Sequence, residues 1–210
     1  MPKNPRDIKF SILSLSIPSR IDKFAAQAEK IIGQIGDRQD VELISLMDNK
    51  SLHIYQKRNH MLDIARGDFI AFLDDDDGIS DDYVEVIVDT INRNPSADVI
   101  CFNQNCWING KHCRVMTDID NPQEDLMPHP DDPMAYKDML RKPWHWCAWN
   151  RSLATSEEFV ASYSLGGAGQ STEDIDWLNR LYPKVKNAVS IDDYLHVYQY
   201  DARQTESFLR

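Results

Sequence analysis

The stretch FIAFLDDDD, residues 69–77, joins a short apolar run directly to four consecutive aspartates. The run FIAFL, residues 69–73, has no polar residue, which is typical of a strand buried on both faces of a parallel sheet. Because α/β sheets bind ligands beyond the carboxyl ends of such strands, the position of the acids favours a binding function. The alternative is a solvated acidic turn that serves only the following helix.

Two further apolar runs precede this strand, and a helical pattern follows each of them. The predicted strands are FSILSLSI at residues 10–17 and VELISLM at residues 41–47, and the predicted helices are residues 21–35 and 55–66. Strand, helix, strand, helix, strand predicts right-handed crossovers and a parallel sheet with helices on both faces. The fold class is therefore predicted to be α/β.

The chain after the acids predicts one more helix and a change of strand direction. Ser80 is the expected cap of a helix that ends at Asn94. Asn109 and Gly110 separate two strand-like runs, residues 98–107 and 111–117, and predict a hairpin that makes the sheet mixed. Residues 118–134 are rich in Asp, Pro and Asn, and are predicted to form a long loop.

Composition and charge restrict the class of protein. With 210 residues, 42% of them hydrophobic and 27% charged, we expect a single domain over residues 1–210. The formal charge of -11 disfavours a nucleic-acid partner held by general electrostatic attraction. The sequence has no apolar run near the roughly 20 residues that span a bilayer, and its start, MPKNPRDIKF, lacks an apolar signal segment. We therefore expect no membrane span and a cytoplasmic location.

The four cysteines are considered as zinc ligands or as buried thiols. They are Cys101, Cys106, Cys113 and Cys147. Structural zinc sites usually use pairs of ligands two to four residues apart, and these cysteines are not paired in that way. Buried, reduced thiols are the preferred interpretation.

The four adjacent aspartates need a compensating charge. Neighbouring carboxylates raise each other's pKa values unless a cation or hydrogen-bond donors offset the repulsion. A hard divalent cation with oxygen ligands is a natural partner, and a diphosphate would contribute further oxygens to it. The sequence therefore predicts a divalent cation near residues 74–77.

Residues 58–83, RNHMLDIARGDFIAFLDDDDGISDDY, resemble the family 2 glycosyltransferases. The shared elements are an Arg-Asn pair that opens a helix, an Ala-x-Gly sequence, an apolar strand, and then Phe-Leu-Asp-x-Asp-Asp. The segment SIPSR, residues 16–20, resembles the nucleotide-binding opening of that family. The resemblance extends over residues 9–105 and implies the GT-A fold, which is a Rossmann-like α/β arrangement.

The resemblance implies a donor site and a metal site. Asp74 and Asp76 match the Asp-x-Asp acids, which the family uses for the donor ribose and for Mn²⁺ or Mg²⁺. The segment LMDNKS departs from the family's Asp-Asp-Gly-Ser sequence. Its Asp48 nevertheless follows the second strand, where the family often has an Asp that contacts the base of the nucleotide. The implied donor-site residues are Pro18, Ser19, Arg20, Asp48, Arg58, Asn59, Asp74 and Asp75.

The segment GGAGQSTEDIDW, residues 166–177, resembles the Glu-Asp motif of the same family. In inverting members the Asp of that motif is the general base, so Asp174 is the predicted base and Glu173 a predicted acceptor residue. The alternative is a pair of acids in the first turn of a helix capped by Thr172.

Aromatic residues and one histidine complete the predicted site. Trp144 and Trp146 lie where such enzymes commonly build the acceptor site, although clustered Trp residues also form cores. His196 lies in YLHVYQYD, residues 194–201, where some GT-A enzymes place a metal ligand. A lone histidine in a strand is also often structural.

These interpretations predict a metal-dependent, inverting glycosyltransferase that uses a nucleoside diphosphate sugar, a uridine one by preference. Residues 9–105 are the expected donor and metal half, and residues 106–210 the acceptor half. The acceptor hydroxyl could belong to a glycan, a lipid, a protein or a modified nucleobase. The rival functions are nucleotidyl transfer on a similar fold and a sugar-nucleotide or glycan-binding module without catalysis.

Overall fold

A computed structural model of the chain describes residues 8–163 and 172–201. This part of the chain contains nine strands that belong to one sheet. The strands are β1 (Phe10–Ser16), β2 (Val41–Met47), β3 (Phe69–Asp74), β4 (Gly78–Ile79), β5 (Val99–Ile108), β6 (Lys111–Thr117), β7 (Met139–Arg141), β8 (Ala148–Asn150) and β9 (Ala188–Tyr200). The helices are α1 (Ile21–Ile35), α2 (Ile54–Ile64), α3 (Tyr83–Arg93), α4 (Arg151–Ala154) and α5 (Glu173–Leu181).

The sheet is mixed, and its order is β2-β1-β3-β8-β5-β6-β7, with β9 paired to β4 and β5. β1 is parallel to both β2 and β3, so that Phe10 faces Val41 on one side and Phe69 on the other. β8 is antiparallel to β3 and to β5. The predicted α/β fold is therefore confirmed, and the carboxyl ends of β1, β2 and β3 share one edge.

The helices cover both faces of the sheet. β2 lies on one side of β1 in the sheet and β3 on the other. The connection from β1 to β2 and the connection from β2 to β3 therefore run in opposite directions across the sheet. Two right-handed crossovers of opposite direction place α1 and α2 on opposite faces. In agreement with this, α1 contacts α3, and α2 contacts α5.

One hydrophobic core lies between the sheet and the helices. All seven residues of β1 are buried, as expected of a central strand with helices on both sides. Trp149 and Trp177 are fully buried, and their ring centroids are 5.8 Å apart. A smaller cluster under the hairpin consists of Cys106, Cys113, Val115 and Met139. All four cysteines of the chain are buried and free.

The hairpin prediction is confirmed. Asn109 and Gly110 both have positive φ angles, of 50° and 80°, and Ile108 pairs with Lys111. A two-residue turn with two positive φ angles matches the twist of the flanking strands, and Asn-Gly adopts it readily.

The beginning of α3 differs from the sequence-based expectation, and Gly67 has a packing role. The cap of α3 is Asp82 rather than Ser80, because Gly78 and Ile79 form β4 and the Ser80 N–H donates to Leu195 O at 2.9 Å. Gly67 lies beyond the end of α2 at a close approach of two strands. A Cβ at that position would lie 2.6 Å from the Ser11 nitrogen. Within the described ranges, the helices are too short or too polar to cross a membrane.

Candidate active site

The four consecutive aspartates, residues 74–77, form a tight turn that we call the acid loop. The Asp77 N–H donates to Asp74 O at 3.0 Å. The side-chain amide of Gln27, on α1, donates to Asp74 O and, at 3.0 Å, to Asp77 O. The same amide accepts a hydrogen bond from the Ser14 hydroxyl at 2.9 Å. The path of the acid loop is therefore fixed by its backbone, by Gln27 and by the Asp77 carboxylate, which accepts a hydrogen bond from Asp74 N at 3.3 Å.

Asp75 points into the protein. Its Oδ2 accepts a hydrogen bond from the Ser16 hydroxyl at 2.6 Å, and its Oδ1 lies 2.6 Å from Arg20 Nη2. Burial raises the pKa of Asp75 to about 6, although Ser16 and Arg20 act in the opposite direction. Asp75 is thus an acid that changes charge near neutral pH.

Arg20 follows β1 in a short 3₁₀ turn that spans Pro18–Arg20. Its Nη2 lies 2.6 Å from Asp75 Oδ1 and 2.5 Å from Asp76 Oδ2. The Lys23 ammonium lies 3.9 Å from the same Asp76 oxygen. Arg20 and Lys23 therefore supply positive charge that offsets the repulsion between the acids.

Asp74 and Asp76 are the acids that face solvent, with side chains 44% and 35% exposed. Their hard oxygen atoms suit Mg²⁺ or Mn²⁺. Among residues 8–163 and 172–201, no three His, Cys, Asp or Glu side chains form a ready metal cage. Mg²⁺ usually binds through one or two carboxylates, with water and substrate phosphates completing the shell, so the donor set fits such an ion.

Asp77 and His196 form a buried pair behind the acid loop. His196 Nε2 lies 3.0 Å from Asp77 Oδ2, and His196 Nδ1 lies 2.7 Å from the Gln104 side-chain nitrogen. The imidazole also stacks on Trp146, with ring centroids 4.8 Å apart and an interplanar angle of 3°. Burial raises the pKa of Asp77. His196 Nε2 has Asp77 as its neighbour but no hydrogen bond of good geometry in the described part of the chain, and the side chain is inaccessible. The structure therefore places the predicted metal ligand behind the acid loop, against Asp77.

Asp48 lies at the carboxyl end of β2, where it was predicted to contact the base. It forms an ion pair with Lys57 of α2, and its Oδ2 accepts hydrogen bonds from Leu52 N at 2.8 Å and from Ser51 Oγ at 3.0 Å. Burial alone would raise the pKa of Asp48, but these donors and the Lys57 charge hold it well below its usual range. Asp48 is thus a fixed carboxylate at this edge of the sheet.

Arg58 is a buried cation between the acid loop and α5. Its side chain is 2% exposed, with Nη2 3.7 Å from Asp74 Oδ1 and Nε 3.4 Å from Glu173 Oε1. The guanidinium carbon lies 5.3 Å from the centre of the Phe72 ring and 5.5 Å from that of Phe159. Arg58 Nη1 has no hydrogen-bond partner in the described part of the chain. Arg58 is therefore a buried positive charge that acts on the acid loop and on α5 from inside the protein.

Asn59 and Glu173 are not placed as the sequence predicts. Both ends of the Asn59 amide bond the backbone of Phe159, with Nδ2 donating to its carbonyl and Oδ1 accepting from its N–H, each at 2.8 Å. Asn59 therefore holds the chain before α5 rather than presenting its amide to a nucleotide. Glu173 is 2% exposed beside Arg58, so burial removes it from the acceptor surface.

Asp174 lies in the first turn of α5 and contacts His145, a histidine of the Trp cluster for which the sequence indicated no role beside Asp174. Its Oδ2 is 3.4 Å from His145 Nδ1, and its Oδ1 accepts from Ile175 N at 2.8 Å. Burial alone would raise the pKa of Asp174, but the His145 contact and the Arg58 charge outweigh it and hold the pKa well below its usual range. Asp174 is therefore ionised at neutral pH, as a general base must be.

The Trp cluster is divided between surface and core. Trp146 is 4% exposed and Trp149 is fully buried, so packing removes Trp146 from the predicted acceptor platform. Trp144 is partly exposed, and the Arg141 guanidinium lies 5.9 Å from the centre of its ring. Of the two predicted acceptor tryptophans, Trp144 alone offers a surface.

A cleft of about 510 Å³ opens on the α1 side of the acid loop. Asp75, Asp76 and Asp77 form part of its wall, and Lys23 and Trp107 line it as well. Asp74 faces Arg58 instead, on the side where Asp174 lies.

Sequence reasoning missed Gln27, Gln104 and His145. Gln27 and Gln104 occur within ordinary helix and strand patterns, and their partners are 47 and 92 residues away. His145 lies between two tryptophans, and this pattern indicates aromatic stacking rather than contact with an acid. Residues 166–171 of the Glu-Asp motif segment lie outside the described residues.

The sequence model of "Glycosyl transferase family 2" matches residues 19–151, which is more than half of the chain. None of the curated proteins matches the chain by sequence. Three similar solved structures are those of S. aureus TarS, of TarS 1–349 with UDP-GlcNAc and of TarS 1–349 with UDP. They are 14%, 14% and 15% identical to the chain, with TM-scores of 0.55, 0.54 and 0.55.

The matches cover 92%, 92% and 96% of the chain, respectively. They cover 37%, 59% and 62% of the TarS chains. The chain thus spans less than two thirds of the length of these TarS structures. At such low identity the similarity establishes the fold.

Proposed function

Because the chain belongs to glycosyl transferase family 2 and is a glycosyltransferase, we propose that it transfers a sugar from a UDP-sugar to an acceptor hydroxyl. The observation that carries the proposal is the position of buried Arg58 between two aspartates with different proposed roles. Asp74 lies on its acid-loop side, and the ionised Asp174 also lies within its electrostatic reach. The acid proposed for the donor site and the acid proposed as the base therefore both lie near Arg58.

The donor site lies at the shared edge of β1, β2 and β3, within residues 9–105. The 3₁₀ turn Pro18–Arg20, Asp48 and Asp74 lie at the carboxyl ends of these strands, where α/β sheets bind nucleotides. The complexes of S. aureus TarS with UDP and UDP-GlcNAc support a uridine nucleotide as the donor. The positive charge of Arg58 lies next to Asp74 at this edge and would favour a nearby diphosphate through its charge, although the side chain is buried.

Asp74 and Asp76 would hold Mn²⁺ or Mg²⁺, because they are the exposed carboxylates of the acid loop. The bound ion would neutralise charge on the leaving diphosphate. Arg20, which contacts Asp75 and Asp76, would have to share Asp76 with the ion. The other residues of the acid loop keep their positions, because Gln27 holds the backbone.

Asp174 is the general base of the proposed reaction. It takes the proton of the acceptor hydroxyl while that oxygen forms a bond to the anomeric carbon. The bond from the same carbon to the diphosphate oxygen breaks, and the diphosphate leaves with the electron pair. Attack opposite the leaving group inverts the configuration, and no covalent enzyme intermediate is needed.

The acceptor site lies within residues 106–210. Trp144 is the partly exposed tryptophan of its cluster, and its ring suits contact with the apolar face of a sugar. A single domain over residues 1–210 would then contain both the donor site and the acceptor site.

The proposed function can be tested without a known acceptor. A panel of nucleotide sugars that includes UDP-GlcNAc should be incubated with the protein and Mn²⁺, and released nucleotide diphosphate measured. We expect slow hydrolysis of at least one UDP-sugar, lost in Asp174→Asn and retained in Asp81→Asn, which alters an exposed acid. Tight binding without turnover of any sugar would support the binding module instead, and absence of both would refute the proposal.

A further inference from the structure

The backbone of His145 is fixed to the strand that carries the acid loop. His145 lies between β7 and β8, and its carbonyl accepts a hydrogen bond from Phe72 N at 3.0 Å. Phe72 precedes Asp74 by two residues in β3. The carbonyl of Trp144 accepts from Cys147 N at 3.0 Å and from Trp149 Nε1 at 2.8 Å, which closes the turn around His145. The imidazole therefore starts from a rigid position.

The imidazole nitrogen Nδ1 lies near one oxygen of Asp174 without a hydrogen bond between them. The distance from Nδ1 to Asp174 Oδ2 is 3.4 Å, and the side chains of His145 and Asp174 are 8% and 19% exposed. Nδ1 is buried and has no hydrogen-bond partner in residues 8–163 and 172–201. A buried ring nitrogen without a partner is unfavourable, so Asp174 is the group that can satisfy it.

The second oxygen of Asp174 is already held. Oδ1 accepts the N–H of Ile175 at 2.8 Å, so a donor at Oδ2 would fix the orientation of the whole carboxylate. Hydrogen bonds between catalytic groups are often long before substrate binds and shorten in the complex. A distance of 3.4 Å leaves room for such shortening.

We propose that His145 is a positioning residue for Asp174, donating its Nδ1–H to Oδ2 and thereby aiming the carboxylate at the acceptor hydroxyl. The inference rests on the proposed function, because it concerns the base of that reaction. His145 lies on the chain joined to β3, and Asp174 lies on α5. The pair therefore sets the distance between the base and the acid loop.

Several charged or titratable groups surround Asp174, and they matter for any pH measurement. His145 faces it from the turn before β8, and Arg58 of α2 adds a positive charge. Glu173 precedes it on α5 and is paired with Arg58, while Tyr182 lies beyond the end of the helix. Among these groups, His145 and Arg58 lower the pKa of Asp174.

The contact itself can be measured without any catalytic activity. Long-range ¹H–¹⁵N spectra of the imidazole rings, assigned by comparison with His145→Asn, report which ring nitrogen carries the proton. We expect the neutral His145 ring to be protonated at Nδ1 and the Asp174→Asn substitution to change that signal. A ring protonated at Nε2, or a signal indifferent to Asp174→Asn, would overturn the proposal.

Kinetic variants test the consequence for catalysis. Hydrolysis of the best UDP-sugar should be measured for His145→Ala, which removes the donor, and for His145→Asn, which keeps an N–H near the Nδ1 position. We expect kcat to fall about tenfold or more in His145→Ala and to recover in large part in His145→Asn, with KM nearly unchanged. The matched control is His112→Asn, since His112 lies on β6 and its ring contacts Asn105 and Trp107.

The pH profile separates positioning from mere support of the fold. Removing His145 removes one of the groups that lower the pKa of Asp174, so the acid limb of kcat should move to higher pH in His145→Ala. An unchanged limb would overturn the proposal. If His145→Asn instead lost as much activity as Asp174→Asn, the imidazole would be the proton acceptor and the assignment of positioning would be wrong. If the imidazole spectra show the expected Nδ1 proton but no donor is hydrolysed, the proposed function is refuted, whereas the contact between His145 and Asp174 stands.

Discussion

Arg20 bridges the acid loop through contacts of its Nη2 with Asp75 and with Asp76 Oδ2, the latter at 2.5 Å. The guanidinium thus lies against the carboxylate predicted to bind the divalent ion. An ion and a guanidinium compete for the same oxygen, since each is favoured by its negative charge. Metal binding should therefore depend on Arg20 as well as on the acids.

We expect Arg20→Gln to strengthen binding of Mn²⁺ alone, because the substitution removes a competing positive charge. Calorimetric titration with Mn²⁺, in the absence of nucleotide, measures this directly. We expect an increase of up to about fivefold in affinity, which corresponds to about 1 kcal/mol, the upper end of what a partly exposed ion pair contributes. A lower affinity in Arg20→Gln would show that Arg20 organises the site.

Asp76→Asn should weaken Mn²⁺-dependent binding of UDP while the fold stays intact. Asp76 is part of a surface turn whose backbone is held by Gln27, so its carboxylate is not needed for the turn. Calorimetry with UDP should show weak binding in chelator, recovery with Mn²⁺ in the unchanged protein, and little recovery in the variant. Equal UDP affinity with and without Mn²⁺ would refute the metal requirement.

Asp174→Asn should separate binding from chemistry. The variant keeps the size of the side chain and one acceptor oxygen but loses the basic carboxylate, so UDP should bind nearly as before. A general base contributes on the order of 10²- to 10⁴-fold, and we expect kcat to fall within that range. Transfer at the normal rate would place the base elsewhere, and Asp176 would be the next acid to test.

Asn59→Ala should reduce stability rather than donor affinity, because both ends of the amide bind the Phe159 backbone. Loss of two partly buried hydrogen bonds should cost about 1–3 kcal/mol in the free energy of unfolding. Denaturant unfolding and UDP calorimetry should be performed on the same preparation. Unchanged stability with a tenfold weaker UDP affinity would instead make Asn59 a donor ligand.

The Asp48 and Lys57 pair should give a pH-dependent contribution to stability. The pKa of Asp48 is lowered in the folded protein, so its contribution is present above the ordinary carboxyl pKa and is lost as the pH falls through the folded-state value. Asp48→Asn should destabilise the protein at pH 7 by about 1 kcal/mol. The difference should shrink as the pH falls below 4.

Asp81→Asn is the matched control for that measurement, since the exposed Asp81 also pairs with a lysine, Lys30. We expect no measurable change in unfolding free energy from the control, because solvent screens the pair. A pH-independent loss in Asp48→Asn would contradict an electrostatic role.

The long elements before residue 118 were predictable because local patterns determine them, whereas the 13-residue strand β9 was not predicted. Residues 21–35 form a helix with the predicted bounds, and β2 also begins and ends where the sequence indicates. The strands β4, β7 and β8 have two or three residues each, too few for a periodic pattern. Their existence depends on partners far along the chain.

The same distinction applies to the site. The acids at the end of β3 were predictable, because a single apolar strand places them at the edge of the sheet. The partner of Asn59 is 100 residues away, so the sequence resemblance could suggest a role for Asn59 but not its contact. The pairing of His145 with Asp174 likewise requires the packing of α5 against the rest of the fold.

Gln27 separates the shape of the acid loop from its chemistry. It holds the carbonyls of Asp74 and Asp77 from a helix that contributes none of the acids. The two solvent-facing acids, Asp74 and Asp76, can therefore be exchanged while the turn remains, which leaves evolution free to alter cation or sugar preference at these two positions. Exchange of Gln27 would disturb all four positions together, so the residue with no reactive group is the one that would constrain the diversification of this site.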